Sequence, residues 1–229
     1  MHNRTNAALM QWIHAVVAKL PEAPPGDPPP PPRRRSPEES FMAKLGTRHH
    51  GATLDNFIAS TPEAKAALAT LRQYADDLAS RITHGQNILI TGPAGTGKDH
   101  LLIGLAKIAA RRGHTVSLTT GPILYRTMRD AMHAHTETDL IDALIAPDIL
   151  ILSDPLPPIG ALTAHQAAIL YDIVDTRWQQ RRPIWASLNV ANQHEANTRL
   201  GAPIVDRLHD GALVIRATWP SHRKPQTII

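Results

Sequence analysis

Cysteine is absent from all 229 residues, which excludes disulfides and thiolate metal sites and fits a reducing cytoplasm. Also missing is any apolar run long enough to span a bilayer, so no membrane partner is expected. Residues 1–20 carry His2, Arg4, Gln11, His14 and Lys19 among their apolar positions and lack a signal-peptide cleavage pattern, so the expected location is cytoplasmic. A large excess of one charge is lacking too. The net charge of +4 and pI near 9.7 permit an acidic partner such as nucleic acid without requiring one. The length allows one α/β domain of ordinary size with an extension.

What is present begins with Leu9, Trp12, Ile13, Val16, Val17 and Leu20 at helical spacing. They predict an amphipathic helix over residues 1–20 that either docks a partner protein or folds back on its own domain. Residues 21–35 follow as PEAPPGDPPPPPRRR, whose prolines favour extended polyproline geometry and make a semi-rigid spacer. The expected organisation is a docking helix over 1–20, a Pro/Arg-rich linker over 21–40 and an α/β domain over 41–229.

Within the domain, Thr61 and Pro62 start a helix running to about Arg81, with Ala67, Leu68, Leu71, Tyr74 and Leu78 on one face. Short apolar runs predict strands at residues 87–91, 115–119, 149–152, 184–188 and 213–217, separated by helical segments. Such alternation argues for a parallel sheet covered on both faces. Between the second and third strands the apolar spacing predicts two helices, residues 123–133 and 138–145.

The first strand turns through Gly92-Pro93-Ala94-Gly95-Thr96-Gly97-Lys98-Asp99-His100 into an amphipathic run. This is a complete G-x-x-x-x-G-K between strand and helix. Its glycines let successive N–H groups converge on phosphate oxygens, the helix adds its positive end, and Lys98 brings a full charge to β- and γ-phosphates. One position departs from the motif. Asp99 stands where a Ser or Thr hydroxyl normally ligates Mg²⁺.

With these landmarks, residues 53–223 resemble the DnaC/IstB group of AAA+ ATPases, helicase loaders and transposition helpers with a P-loop NTPase fold. The other quoted segments are Asp148-Ile149-Leu150-Ile151-Leu152-Ser153-Asp154, Arg182-Pro183-Ile184-Trp185-Ala186-Ser187-Leu188-Asn189 and Val205-Asp206-Arg207-Leu208. The resemblance implies a five-stranded parallel sheet with the 149–152 and 184–188 strands beside the phosphate-loop strand. It implies ATP and Mg²⁺ as cofactors and gives Asp154 the task of polarising attacking water. Asn189 would position that water, and Arg207 would reach the γ-phosphate of a neighbouring subunit; a surface ion pair with Asp206 or Asp210 is the alternative for Arg207. Arg223 is a weaker candidate for a phosphate contact. Ser153 falls where the metal-organising aspartate belongs, which is a second departure. Together the two departures are reciprocal: Asp99 and Ser153 are expected to have exchanged roles and to lie within hydrogen-bond reach of each other, with Asp154, as metal-site residues.

Thirteen histidines, including His49-His50 and His133-Ala134-His135, lack the carboxylate or cysteine companions that close a metal site. Tyr125 with Arg126 and Arg129 is an arrangement that can stack and hold a base, although packing accounts for Tyr125 taken alone. The expected function is an ATP-dependent helper with weak ATPase activity, acting on single-stranded DNA. It would form a nucleotide-dependent homo-oligomer and serve a replicative helicase or, alternatively, a transposase. A scaffold that binds ATP and has lost hydrolysis is the third reading, supported by Asp99 and Ser153.

Overall fold

The computed structural model describes residues 35–223. The expected docking helix and the spacer up to residue 34 lie outside the described residues, as do residues 224–229. Five strands, β1 (Ile88–Thr91), β2 (Val116–Thr120), β3 (Ile149–Ser153), β4 (Ile184–Leu188) and β5 (Leu213–Arg216), form one sheet in the order β2-β3-β4-β1-β5. Every pairing is parallel. Strands β1, β3 and β4 are covered on both faces, which is why their residues are apolar almost without interruption.

Alternation along each strand divides the core in two. Ile88, Ile90, Ile149, Ile151 and Trp185 meet α1 (Pro37–Lys44), α2 (Pro62–Asp76), α3 (Leu78–Thr83) and α4 (Lys98–Arg111). Leu89, Leu150, Leu152, Ile184 and Ala186 face the other way. They pack with α5 (Gly121–Ala134), α6 (Glu137–Ile145), α7 (Ala164–Gln179), α8 (Gln193–Leu200) and α9 (Ala202–His209).

Several boundaries differ from the sequence expectation for identifiable reasons. Ser36 and Glu39 form a reciprocal capping box, Pro37 occupies the first turn, and buried Phe41 anchors the helix, so folded structure starts before residue 41. The helix expected over 61–81 starts as predicted, with Thr61 accepting from Ala64 N–H, but breaks at Asp77 (φ −106°, ψ 27°) into α2 and α3. Two successive aspartates, a residue type of low helix propensity, mark the break. Strand β2 starts at Val116 because Thr115 is engaged in a reciprocal bridge with Asp148, N–H to Oδ2 at 2.7 Å and Asp148 N–H to Oγ1 at 2.9 Å.

The two-helix insertion is present as α5 and α6 and is tied to the core by Arg177. That side chain is fully buried and donates to the carbonyls of Leu144, Ile145, Pro147, Asp148 and Pro183. It thereby satisfies carbonyls at the end of α6 that the helix itself cannot. Burial pushes its pKa down to about 9.

Candidate functional site

The carboxyl ends of β1, β3 and β4 deliver the chemistry-bearing residues to one crevice, the usual ligand position in an open α/β sheet. There a cavity of about 580 Å³ is lined by the phosphate loop at Gly95 and Gly97 and by Lys98, Asp99, Asp154 and Asn189. A cavity of about 630 Å³ lies at the opposite end of the strands, around Arg81, Trp178 and Arg181. It has no comparable convergence of backbone donors, so its greater volume does not make it the better site.

Gly97 has φ 86°, a left-handed conformation, and a Cβ there would come within 2.8 Å of the Phe57 ring. A side chain would be strained at this position on both counts. The loop is closed from inside by Thr96, whose Oγ1 donates to Pro93 O at 3.0 Å, while Pro93 and Ala94 remain exposed. Lys98 is 6% exposed, and its Nζ donates to Gly92 O, Pro93 O and Asn189 Oδ1 at 2.7–2.8 Å. All three partners are neutral. Desolvation pushes its pKa below the ordinary lysine value, against the opposing pull of Asp99 and Asp154. A buried ammonium with neutral partners, beside free loop N–H groups, suits a phosphate chain.

Asn189 joins that lysine to the acid. Its Nδ2 and backbone N–H donate to Asp154 Oδ2 and Oδ1, giving a continuous Lys98–Asn189–Asp154 chain. Asp154 itself has φ 46°, and non-glycine residues in this region commonly occur where a site holds local strain. Asp99 and Ser153 are in contact, Ser153 Oγ donating to Asp99 Oδ2 at 2.8 Å. The sequence expectation did not include Ser187, whose Oγ donates to Asp99 Oδ1 at 2.6 Å.

One wall of the cavity comes from the segment before α2. His100 Nε2 meets Thr53 O and Asn56 Oδ1, both at 2.9 Å, and Lys107 Nζ donates to His49 O and His50 O. These two side chains of α4 hold Arg48, His49 and Phe57 at the cavity. An adjoining part of the lining follows β5, where Trp219 and His222 meet Phe57 edge-on. Trp219 Nε1 donates to Thr96 O at 2.7 Å, His222 N–H donates to Gly95 O at 2.9 Å, and Arg223 lines the cavity.

Other expected residues lie elsewhere. Arg207 is on α9, outside this cavity, with its guanidinium on Asp175 at 2.9 Å and Asp206 at 3.1 Å and stacked 4.3 Å from the Trp178 ring centre. The ion-pair alternative is therefore realised with Asp206, and with Asp175 in place of Asp210. Asn87, also unforeseen, donates to the carbonyls of Arg207 and Leu208 and fixes the end of that helix to the start of β1. Tyr125 is buried with its hydroxyl on Pro155 O, so it packs and does not present a stacking face; Arg126 and Arg129 are exposed.

Residues 33–228 match the family model for the IstB-like ATP binding protein. The chain belongs to the IstB-like ATP binding protein family. Among its relatives in this group, the replicative helicase loader DnaC of Escherichia coli (strain K12) is 27% identical over 184 residues, covering 78% of this chain and 72% of DnaC. The putative insertion sequence ATP-binding protein y4uH of Sinorhizobium fredii is 27% identical over 186 residues, covering 77% and 70% respectively. The crystal structure of the DnaC helicase loader superimposes with a TM-score of 0.67 at 18% identity, over 75% of this chain and 99% of that one. The replication initiator DnaA bound to AMPPCP and single-stranded DNA gives 0.62 at 19% identity, over 76% and 50%. At these identities the structures establish the fold, a P-loop α/β domain of the AAA+ kind. The family is an ATP binding one, and the loop, Lys98 and the size of the 580 Å³ cavity suit that ligand. Among the described residues no helix is long and apolar enough to cross a membrane.

Proposed function

We propose that this protein is a cytoplasmic ATP-dependent helper of the helicase-loader type, which assembles on single-stranded DNA and delivers a replicative helicase. The observation that carries this reading is the attachment of the two-helix insertion, which bears Arg126 and Arg129, to the nucleotide site. Gly121, the first residue of α5, packs on the Asp154 carbonyl, and Tyr125 from the next turn bonds Pro155 O. A change at Asp154 is therefore transmitted to a helix whose outer face presents Arg126 and Arg129 to solvent. In this reading Lys98 and the loop hold the phosphates, Asp154 polarises water placed by Asn189, and Arg207 serves a neighbouring copy. The oxygen-only donors Asp99, Ser153 and Asp154 fit Mg²⁺, which when bound neutralises phosphate charge. Residues 1–20 are the element proposed to engage the helicase.

Single-stranded DNA binding tests this directly. Replacing Arg126 and Arg129 together by Ala should weaken single-strand affinity about tenfold and lower the salt dependence by one to two ions released, as expected for loss of two phosphate contacts. Unchanged affinity, or equal affinity for duplex and single strands, would remove the DNA component. The likeness to y4uH supports a second reading, a transposition helper, in which the partner is a transposase. Pull-down with residues 1–20 intact, offered purified helicase or transposase, separates the two.

A further inference from the structure

The carboxylate of Asp99 is held in a way that the family's ordinary loop hydroxyl could not reproduce. Ser153 and Ser187 are direct register partners on adjacent parallel strands, β3 and β4, and they are 7% and 2% exposed. Their hydroxyls point the same way and each donates to a different oxygen of Asp99, at 2.8 and 2.6 Å. Ser187 also accepts the Asp154 backbone N–H at 3.3 Å, so this clamp is continuous with the acid of the site. Neither Lys98 nor Asp154, two other charges of the site, is hydrogen-bonded to Asp99. Lys98 bonds two carbonyls and Asn189, and each Asp154 oxygen accepts one bond from Asn189.

Asp99 therefore brings a negative charge to a phosphate cavity with only neutral hydroxyls bonded to it. Each of its oxygens keeps a second lone pair for a further partner. Unscreened, this carboxylate repels β- and γ-phosphates; with a hard divalent cation between them, the same charge attracts. We propose that Asp99 is the direct carboxylate ligand of Mg²⁺, that Ser187 acts with Ser153 to orient it, and that the cavity takes ATP as its metal complex in preference to the free anion. The usual assignment is inverted, with the carboxylate on the loop helix and hydroxyls on the strands. This rests on the cavity being the ATP site, and it deepens that reading by naming the ionic form of the ligand.

The test is equilibrium binding with the full chain. A fluorescent ATP analogue is titrated with Mg²⁺ or with EDTA, and Mn²⁺ coordination is followed by electron paramagnetic resonance in the presence of ATP. Wild-type affinity should fall about 100-fold in EDTA, while Asp99→Thr and the near-isosteric Asp99→Asn should bind metal-free nucleotide about tenfold more tightly than wild type, because a like charge is removed. Ser187→Ala should weaken Mn²⁺ about tenfold while Ser187→Thr, which keeps the hydroxyl, stays near wild type. The double change Asp99→Thr with Ser153→Asp should recover Mn²⁺ binding that Asp99→Thr loses, a non-additive result. Unchanged metal-free affinity in both Asp99 variants would overturn the proposal and leave Asp99 a purely structural acceptor. Wild-type Mn²⁺ binding in Ser187→Ala would remove Ser187 from it. The ATP-site reading fails by a separate result, wild-type nucleotide affinity in Lys98→Ala.

Discussion

Lys98 and Arg207 are both cations held by several partners, but their partners differ in charge. Lys98 is bonded to neutral oxygens at the bottom of a cavity, so its attraction remains available to a ligand. Arg207 sits at an edge against Asp175 and Asp206 and over Trp178, and the Arg207 guanidinium holds the Asp175 carboxyl below its ordinary range. Its charge is answered within the chain. The difference teaches which cation is free to meet a ligand: the proposed binding half of the site is supplied within one polypeptide, while the transition-state half is proposed to be borne by a residue that must exchange its own aspartates for a neighbour's phosphate. Two carboxylates and an aromatic face fix the orientation of that arginine within the chain.

The sharpest way to break this comparison is Arg207→Ala. It should lower hydrolysis about 10³-fold, as loss of a trans-acting arginine does, and leave nucleotide affinity within about twofold of wild type. Equal losses in binding and turnover would place Arg207 inside the binding site after all. Lys98→Ala should do the reverse, weakening nucleotide affinity at least about 100-fold in the same titration, since it removes the buried cation facing the phosphates. The smallest expected effect belongs to Trp178→Leu, which keeps an apolar surface for Arg207 and removes the cation–π contact. Turnover should fall only about threefold to tenfold with no change in nucleotide affinity, matching a contact worth about 1 kcal/mol. Trp178→Phe should lie between.

The phosphate-loop part of the cavity was legible in the sequence because its residues are local. The loop from Gly92 to His100, with its strand and helix, occupies one continuous stretch, and apolar runs disclosed all five strands. The contact between Asp99 and Ser153 was also legible, because two departures from one motif had complementary chemistry. Ser187 was not, for it looks like an ordinary small residue within a buried strand. Only the pairing of β3 with β4 sets it opposite Ser153. The wall formed by Asn56 and Phe57 was hidden similarly, since it depends on His100 and Lys107 reaching across from α4. Tyr125 shows the limit of neighbour-based reading. Its adjacency to Arg126 suggested a stacking pair, but successive helical residues face different directions, and the tyrosine points into the core.

Mixing Lys98→Ala with Arg207→Ala tests the division between the two regions most directly. Neither variant should hydrolyse ATP alone, the first because it does not hold nucleotide and the second because it lacks the arginine. Mixed at equal concentrations on single-stranded DNA, they should regain a substantial part of wild-type turnover, because an intact cavity from one copy can meet Arg207 of another. A mixture as inactive as its components, under conditions where wild type turns over, would contradict the account and confine Arg207 to the ion pairs it makes with Asp175 and Asp206.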